Sequence, residues 1–161
     1  MESQSMASRK FMTEVVVTIG KEDRVLDAYK LMIDKKIRHL PVIQSDGTVI
    51  GMLSDRDVQR AMIVDRPAGN GSEEVYLNGT KKVSEYMSLK AFTAYAETPL
   101  GSVVEEMMLE KVSAVIIVSS TMKCLGIVTS NDIMRVFLDQ MARNRQIFEQ
   151  PMSFFFSNTL Y

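Results

Sequence analysis

The chain has 161 residues, 46% of them hydrophobic and 24% charged, with a formal net charge of −1. This is the composition of a globular protein rather than a disordered one, and the interspersed acids and bases exclude the basic footprint of a nonspecific nucleic-acid binder. No apolar run approaches the roughly 18 residues of a membrane span, so no span is expected.

Val15-Val16-Val17-Thr18-Ile19 is a β-branched run and predicts a strand. Asp23 follows as a helix cap, and Val25, Ala28, Tyr29, Met32 and Ile33 recur at helical spacing. Residues 40–43 predict a second strand, Ser45-Asp46-Gly47-Thr48 a hairpin turn, and residues 49–53 the returning strand. Ser54 opens a second helix that reaches about residue 64. Residues 65–82, rich in Gly, Pro, Asn and charge, read as a linker. Beyond it the same order recurs. Residues 92–95 form a strand, and Thr98 caps a helix with Pro99 at its first position. Val103, Val104, Met107 and Met108 supply that helix's apolar face, residues 115–118 and 124–128 make a hairpin, and residues 131–141 a final helix.

The second half restates the first. Gly51-Met52-Leu53-Ser54-Asp55-Arg56-Asp57-Val58 returns 75 residues later as Gly126-Ile127-Val128-Thr129-Ser130-Asn131-Asp132-Ile133. Both copies read glycine, two apolar residues, a hydroxyl, two variable residues, aspartate, and a β-branched apolar residue. The register holds without a gap from residue 10 to residue 139, which means two copies of one folding unit. The units span residues 8–64 and 83–140, and residues 141–161 form a tail. At about 55 residues each, single cores are marginal, so the halves are expected to stabilise each other.

Each Gly-x-x-Ser/Thr-x-x-Asp segment falls where a strand ends and a helix begins. Unpaired N–H groups and the positive end of the helix dipole gather there and favour phosphate. The hydroxyl can cap the helix or meet a phosphate oxygen, and the carboxylate can accept from the paired hydroxyls of a ribose. The glycine admits a ligand or a neighbouring backbone. Ser/Thr-x-x-Asp is also a near capping box, a purely structural role. Two copies in register shift the balance toward a ligand site.

The set resembles the CBS (cystathionine β-synthase) domain family, and two such repeats resemble its tandem pair, the Bateman module. Lys10-Phe11-Met12-Thr13 and Glu85-Tyr86-Met87-Ser88 are similar to the segment that opens each domain, and Arg38-His39-Leu40-Pro41-Val42 to its common strand. The resemblance implies a mixed α/β (α+β) fold of two strand-helix-strand-strand-helix repeats about a pseudo-twofold axis, often assembled as a homodimer. It implies adenosine ligands (AMP, ADP or ATP, less often S-adenosylmethionine or NAD) in two clefts between the repeats, each borrowing its adenine wall from the opposite repeat. By that resemblance the first cleft holds Asp57, Ser54, Arg56, Arg38, His39 and Met52, with Thr93 and Ala94 as its adenine wall. The second holds Asp132, Thr129, Asn131 and Ile127, with Val17, Thr18 and Ile37.

The copies differ in charge. Arg38, His39 and Arg56 have Ser113, Ala114 and Asn131 at the equivalent positions, so the Asp57 cleft is expected to be the better phosphate site. First-repeat cations can still serve either cleft, because the two open toward each other. His39, the only histidine, is either a structural residue beside a strand or a phosphate contact whose binding strengthens as pH falls. Cys124 is read as a small core residue, and the thirteen methionines as flexible core filling. A lone cysteine and a polar start without a signal peptide's apolar centre lead to an expected cytoplasmic setting. No metal-ligand cluster, nucleophile triad or Walker loop stands out, so neither a catalytic residue nor a required cofactor is expected. Phe154-Phe155-Phe156 in the tail would pack on the chain's own core or a dimer mate, dock a partner protein, or touch a membrane surface. The expected function is a stand-alone regulatory module that senses an adenosine nucleotide and signals to an unidentified partner protein. The competing expectation is a ligand-free dimerisation or interaction module.

Overall fold

The computed structural model describes residues 7–65, 74–77 and 79–143, and the aromatic tail lies outside them. In the first repeat, β1 (Ile19–Gly20) runs parallel to β2 (His39–Ile43), which pairs antiparallel with β3 (Val49–Ser54). The helix α1 (Val25–Lys35) lies between β1 and β2, and α2 (Asp55–Arg60) follows β3. The second repeat gives β6 (Thr93–Tyr95), α3 (Leu100–Leu109), β7 (Ala114–Val118), β8 (Cys124–Thr129) and α4 (Ser130–Arg143), with the same strand order and senses. Each first helix is followed by a lysine in the left-handed region, Lys36 at φ 54° directly after α1 and Lys111 at φ 55° two residues after α3.

Four local expectations are corrected. The strand expected over 15–19 shrinks to Ile19–Gly20; Val15 is exposed, and Val16 and Val17 run toward the inter-repeat space. Asp23 does not cap α1: its carboxylate accepts from the Gly20 N–H at 2.8 Å, and the Val25 N–H donates to the Lys81 carbonyl at 2.8 Å. Thr98 likewise leaves its helix uncapped, accepting from the Tyr95 N–H, and Pro99 takes the cap position of α3. The helix expected to reach residue 64 stops at Arg60, and β4 (Met62–Asp65) pairs antiparallel with β5 (Glu74–Leu77), which falls within the span read as a linker. The apolar, β-branched run Met62-Ile63-Val64 suits a ladder better than a helix.

Every cross-repeat bridge that is paired has its mirror 75 residues away. Ala7 bridges Pro99 as Arg24 bridges Lys82, Thr13 bridges Ile127 as Ser88 bridges Met52, and Thr48 pairs with its own counterpart Lys123. That is pseudo-twofold symmetry, and it exchanges the opening segments. Residues 7–13 lie on the second repeat, where Phe11 and Met12 pack against Leu100, Val103 and Val128. Residues 83–88 lie on the first, where Val83 is fully buried with Val25, Leu40 and Leu53, and Tyr86 and Met87 pack on them. A third cluster (Val49, Met52, Ala114, Ile116, Val118 and Ile127) joins the two sheets. The motif glycines make room for this exchange rather than for a ligand. A Cβ on Gly51 would come 2.6 Å from the Ser88 carbonyl oxygen, and one on Gly126 would come 2.5 Å from Met12 Sδ.

Candidate functional site: two pseudo-symmetric clefts

Each motif folds its aspartate back on its own hydroxyl. The Ser54 N–H and hydroxyl both donate to Asp57 Oδ2 at 2.7 Å, completing a capping box at α2. The Thr129 N–H and hydroxyl donate to Asp132 Oδ2 at 2.8 and 2.6 Å. The structural and ligand roles weighed from the sequence therefore divide between the two oxygens of one carboxylate. Oδ2 holds the strand–helix turn, and Oδ1 is left over.

The leftover oxygens differ. Asp57 Oδ1 accepts from Arg60 Nη2 at 2.6 Å, and the same nitrogen donates to the Tyr86 carbonyl at 3.1 Å. Asp132 Oδ1 has no protein partner among the described residues, although Arg135 stands at the position equivalent to Arg60.

Two cavities open on these motifs. One, of about 210 Å³, is bounded by Ile127, Thr129, Asn131 and Asp132 of the second repeat and by Val15–Val17 and Ile37 of the first, with Lys36, Arg38 and Arg135 as its cations. The other, of about 250 Å³, is bounded by Met52, Ser54, Arg56 and Asp57 of the first repeat and by Ala91, Phe92 and Val112 of the second. Its cations are Arg56, Lys90 and Lys111, and it also carries Asp55. Lys90 is shared with Glu110 at 3.1 Å and lies 4.8 Å from the Phe92 ring centre.

Most of the residues chosen from the sequence meet in these cavities, and four do not fit as placed. Arg38 lines the Asp132 cavity, not the Asp57 one, because it follows Ile37 on the wall that the first repeat lends to the second. Thr93 and Ala94 line neither cavity: β6 pairs them with Ile116 and Ile117, Thr93 is exposed, and Ala94 packs on the second core. Thr18 is also absent from the cavity walls. The wall that each cleft takes from the opposite repeat is formed by Val15–Val17 and, at the equivalent positions, by Lys90, Ala91 and Phe92. Lys36 and Lys111 went unselected as site residues despite matching at the 75-residue offset, which was the available signal.

His39 and Ser113 line both cavities, with His39 Nε2 2.9 Å from Ser113 Oγ. Burial pushes the His39 pKa below its ordinary value, Asp55 and then Asp57 oppose the shift, and Arg38 and Arg56 add to it. Cys124 is half-buried and packs on the sheet-joining cluster; burial pushes its thiol up, away from reactivity. Among the described residues no group of three metal-ligating side chains comes together, and no helix is long and apolar enough to cross a membrane.

The model of the CBS domain matches residues 8–64 and again 83–139. L-aspartate semialdehyde sulfurtransferase of Methanocaldococcus jannaschii is 25% identical over 137 residues, which cover 85% of this chain and 24% of that protein. The chain thus spans about a quarter of that relative's length. Among solved structures, the CBS domain pair of protein MJ0100 in complex with 5′-methylthioadenosine and S-adenosyl-L-methionine aligns with TM-score 0.70 at 25% identity, over 84% of this chain and 98% of that one. CBSX2 in complex with AMP aligns with TM-score 0.66 at 22% identity, over 83% of this chain and 96% of that one, a likeness of fold. With both repeats matched in register and the fold shared, this chain belongs to the CBS domain family, as a tandem pair.

Proposed function

We propose that the chain is a regulatory CBS pair that binds an adenosine nucleotide of the AMP, ADP or ATP class and signals occupancy to another protein. The observation that supports this most strongly is the Asp132 carboxylate. One oxygen is fixed by Thr129, and the other is unpaired among the described residues in a cleft with apolar walls and three cations. A ribose diol can donate to the free oxygen, a base can lie between Val15–Val17 and Ile127, and phosphate can reach Lys36, Arg38 or Arg135. On this reading the Asp132 cleft ranks above the Asp57 cleft, against the expectation from the sequence; Arg38 lining this cleft and Arg60 paired with the corresponding oxygen of Asp57 support it. The reading assigns no catalysis.

Signalling would follow from linkage, in which a ligand held between the repeats favours one arrangement of the halves or of two protomers. A second copy has a surface to use. Ile33, Met108, Leu109, Met134, Phe137 and Leu138 expose apolar side chains on the helices, and α4 has no buried residue. The same surface favours a second reading, a dimerisation module with vacant clefts.

Thermal unfolding of the dialysed protein with AMP, ADP, ATP, NAD and S-adenosylmethionine separates the two. A ligand at a hundred times its dissociation constant adds about 2.7 kcal/mol, enough to raise the midpoint by roughly 5–10 °C at this size. A rise with one adenosine compound supports the sensor. No rise with any of them leaves the dimerisation module.

A further inference from the structure

The two clefts are not separated by backbone alone. Their common wall is a pair of side chains, His39 from the start of β2 and Ser113 from the residue before β7, held at 2.9 Å. Both residues line both cavities, so the single imidazole of the chain stands between the two ligand positions. A neutral imidazole has one N–H donor, whereas an imidazolium has two. When the imidazolium donates to Ser113 Oγ, the Ser113 hydroxyl proton is free to point into a cleft, and a positive charge faces both.

We propose that His39 and Ser113 form a shared partition that couples the clefts: a phosphate-bearing adenosine ligand in either one draws a proton onto His39, and the charged partition then favours a second anionic ligand in the other. The proposal rests on the nucleotide reading above and adds its regulation.

The charges around the imidazole come from every element that meets there. Asp55 and Asp57 on α2 favour its protonation, and Arg38 beside it and Arg56 on α2 oppose it. Across the cavities, Lys36 at the end of α1, Lys111 at the end of α3, Lys90 before β6 and Arg135 on α4 add positive charge, and Asp132 adds negative charge. Burial is the largest influence and keeps the unliganded ring neutral to a lower pH than usual. A bound phosphate works the other way and raises the pKa. Affinity for an anionic ligand therefore strengthens as pH falls from above the liganded pKa to below the unliganded one, by about tenfold for each unit the ligand raises it. Uncharged adenosine lacks this dependence. Positive coupling between the clefts is confined to the window between the unliganded and the liganded pKa: above it His39 stays neutral with ligand bound, and below it His39 is charged before any ligand arrives.

Because the chain has one histidine, the imidazole Hε1 gives a resonance that needs no further assignment. That resonance is titrated in the full chain alone, with saturating AMP and with saturating adenosine. It is the primary readout because the phosphate of AMP itself titrates near pH ~6. The midpoint is expected to rise with AMP and to stay put with adenosine. In D57A and in D132A, each leaving one carboxylate, AMP is expected to raise it in both. Wild-type calorimetry supplies the same test: the second stepwise AMP constant exceeds its statistical value at a pH between the midpoints found without and with AMP and falls to it well above and well below that window, and H39N abolishes the difference. A midpoint unmoved by AMP that demonstrably binds, or moved from one cleft alone, overturns the partition. Absence of any AMP heat overturns the nucleotide reading, and the coupling with it.

Discussion

Asp57 and Asp132 occupy the same place in the same motif, fold back on the same hydroxyl, and face cavities of about 250 and 210 Å³ carrying three cations each. Yet Arg60 closes the first carboxylate with a 2.6 Å ion pair, whereas Arg135 leaves the second open. The Asp57 cleft also contains Asp55 and has one lysine diverted to Glu110. A repeat therefore reproduces the turn that holds the carboxylate without reproducing the site. Whether the second oxygen is available depends on the following helical turn, outside the motif.

The largest expected effect separates the two carboxylates. D132A should weaken AMP binding by about ten- to a hundredfold, in line with about 1.5–3 kcal/mol for a hydrogen bond to a charged group, while D57A changes it by less than about threefold. Both variants lose the same cap, so the difference in calorimetric affinity isolates the ligand contact. Equal losses would break the comparison.

The motif glycines come next. G51A forces a methyl against a backbone carbonyl, whereas G126A meets the flexible thioether of Met12. Overpacking costs about 1–3 kcal/mol, and G51A should fall at the upper end and G126A at the lower in denaturant unfolding. A larger loss for G126A would show that the exchanged opening segments differ in rigidity in the opposite sense.

Smaller still is R60A. It frees Asp57 Oδ1 at the expense of a pair whose arginine is exposed and whose carboxylate is largely buried, worth about 1 kcal/mol. It should raise AMP affinity in the first cleft a few-fold with little change in stability, and no gain would show that Arg60 is not what closes that site.

The smallest effect concerns the two hairpin turns, where Lys123 Nζ meets the Asp46 carboxylate at 2.8 Å and Thr48 Oγ1 at 2.8 Å. Lys123, together with the Thr48 N–H and hydroxyl that donate to the same carboxylate, holds Asp46 at about 2, below the roughly 3.9 of an unfolded chain. A depressed carboxylate contributes stability above its unfolded value, and that contribution disappears as pH falls through about 2. K123A should therefore lower stability above about pH 4 and shrink the acid limb between about pH 4 and 2, the two curves converging below about pH 2, as measured by circular dichroism in denaturant at each pH. An unchanged acid limb would remove this link between the repeats.

The repeat, the two hairpins and the motif turns were readable from local pattern because each rests on neighbours within a few residues. What escaped depends on distant partners. Nothing near Asp23 shows that the Lys81 carbonyl will receive the first helical N–H, and nothing near Met62 shows that residues 74–77 will pair with it. The exchange of opening segments left a trace, Met12 and Met87 at matching positions, but their glycine partners lie over a hundred residues away in one case and 36 in the other. Arg38 was misplaced for a similar reason. Its charge was read with the motif of its own repeat, although the wall to which it belongs faces the other.

The most direct test of the account is a crystal structure grown with one equivalent of AMP. The account predicts ligand in the Asp132 cleft, with a ribose hydroxyl within hydrogen-bond distance of Asp132 Oδ1 and the phosphate against Lys36, Arg38 or Arg135. Ligand confined to the Asp57 cleft, with the Asp57–Arg60 pair opened, would contradict it.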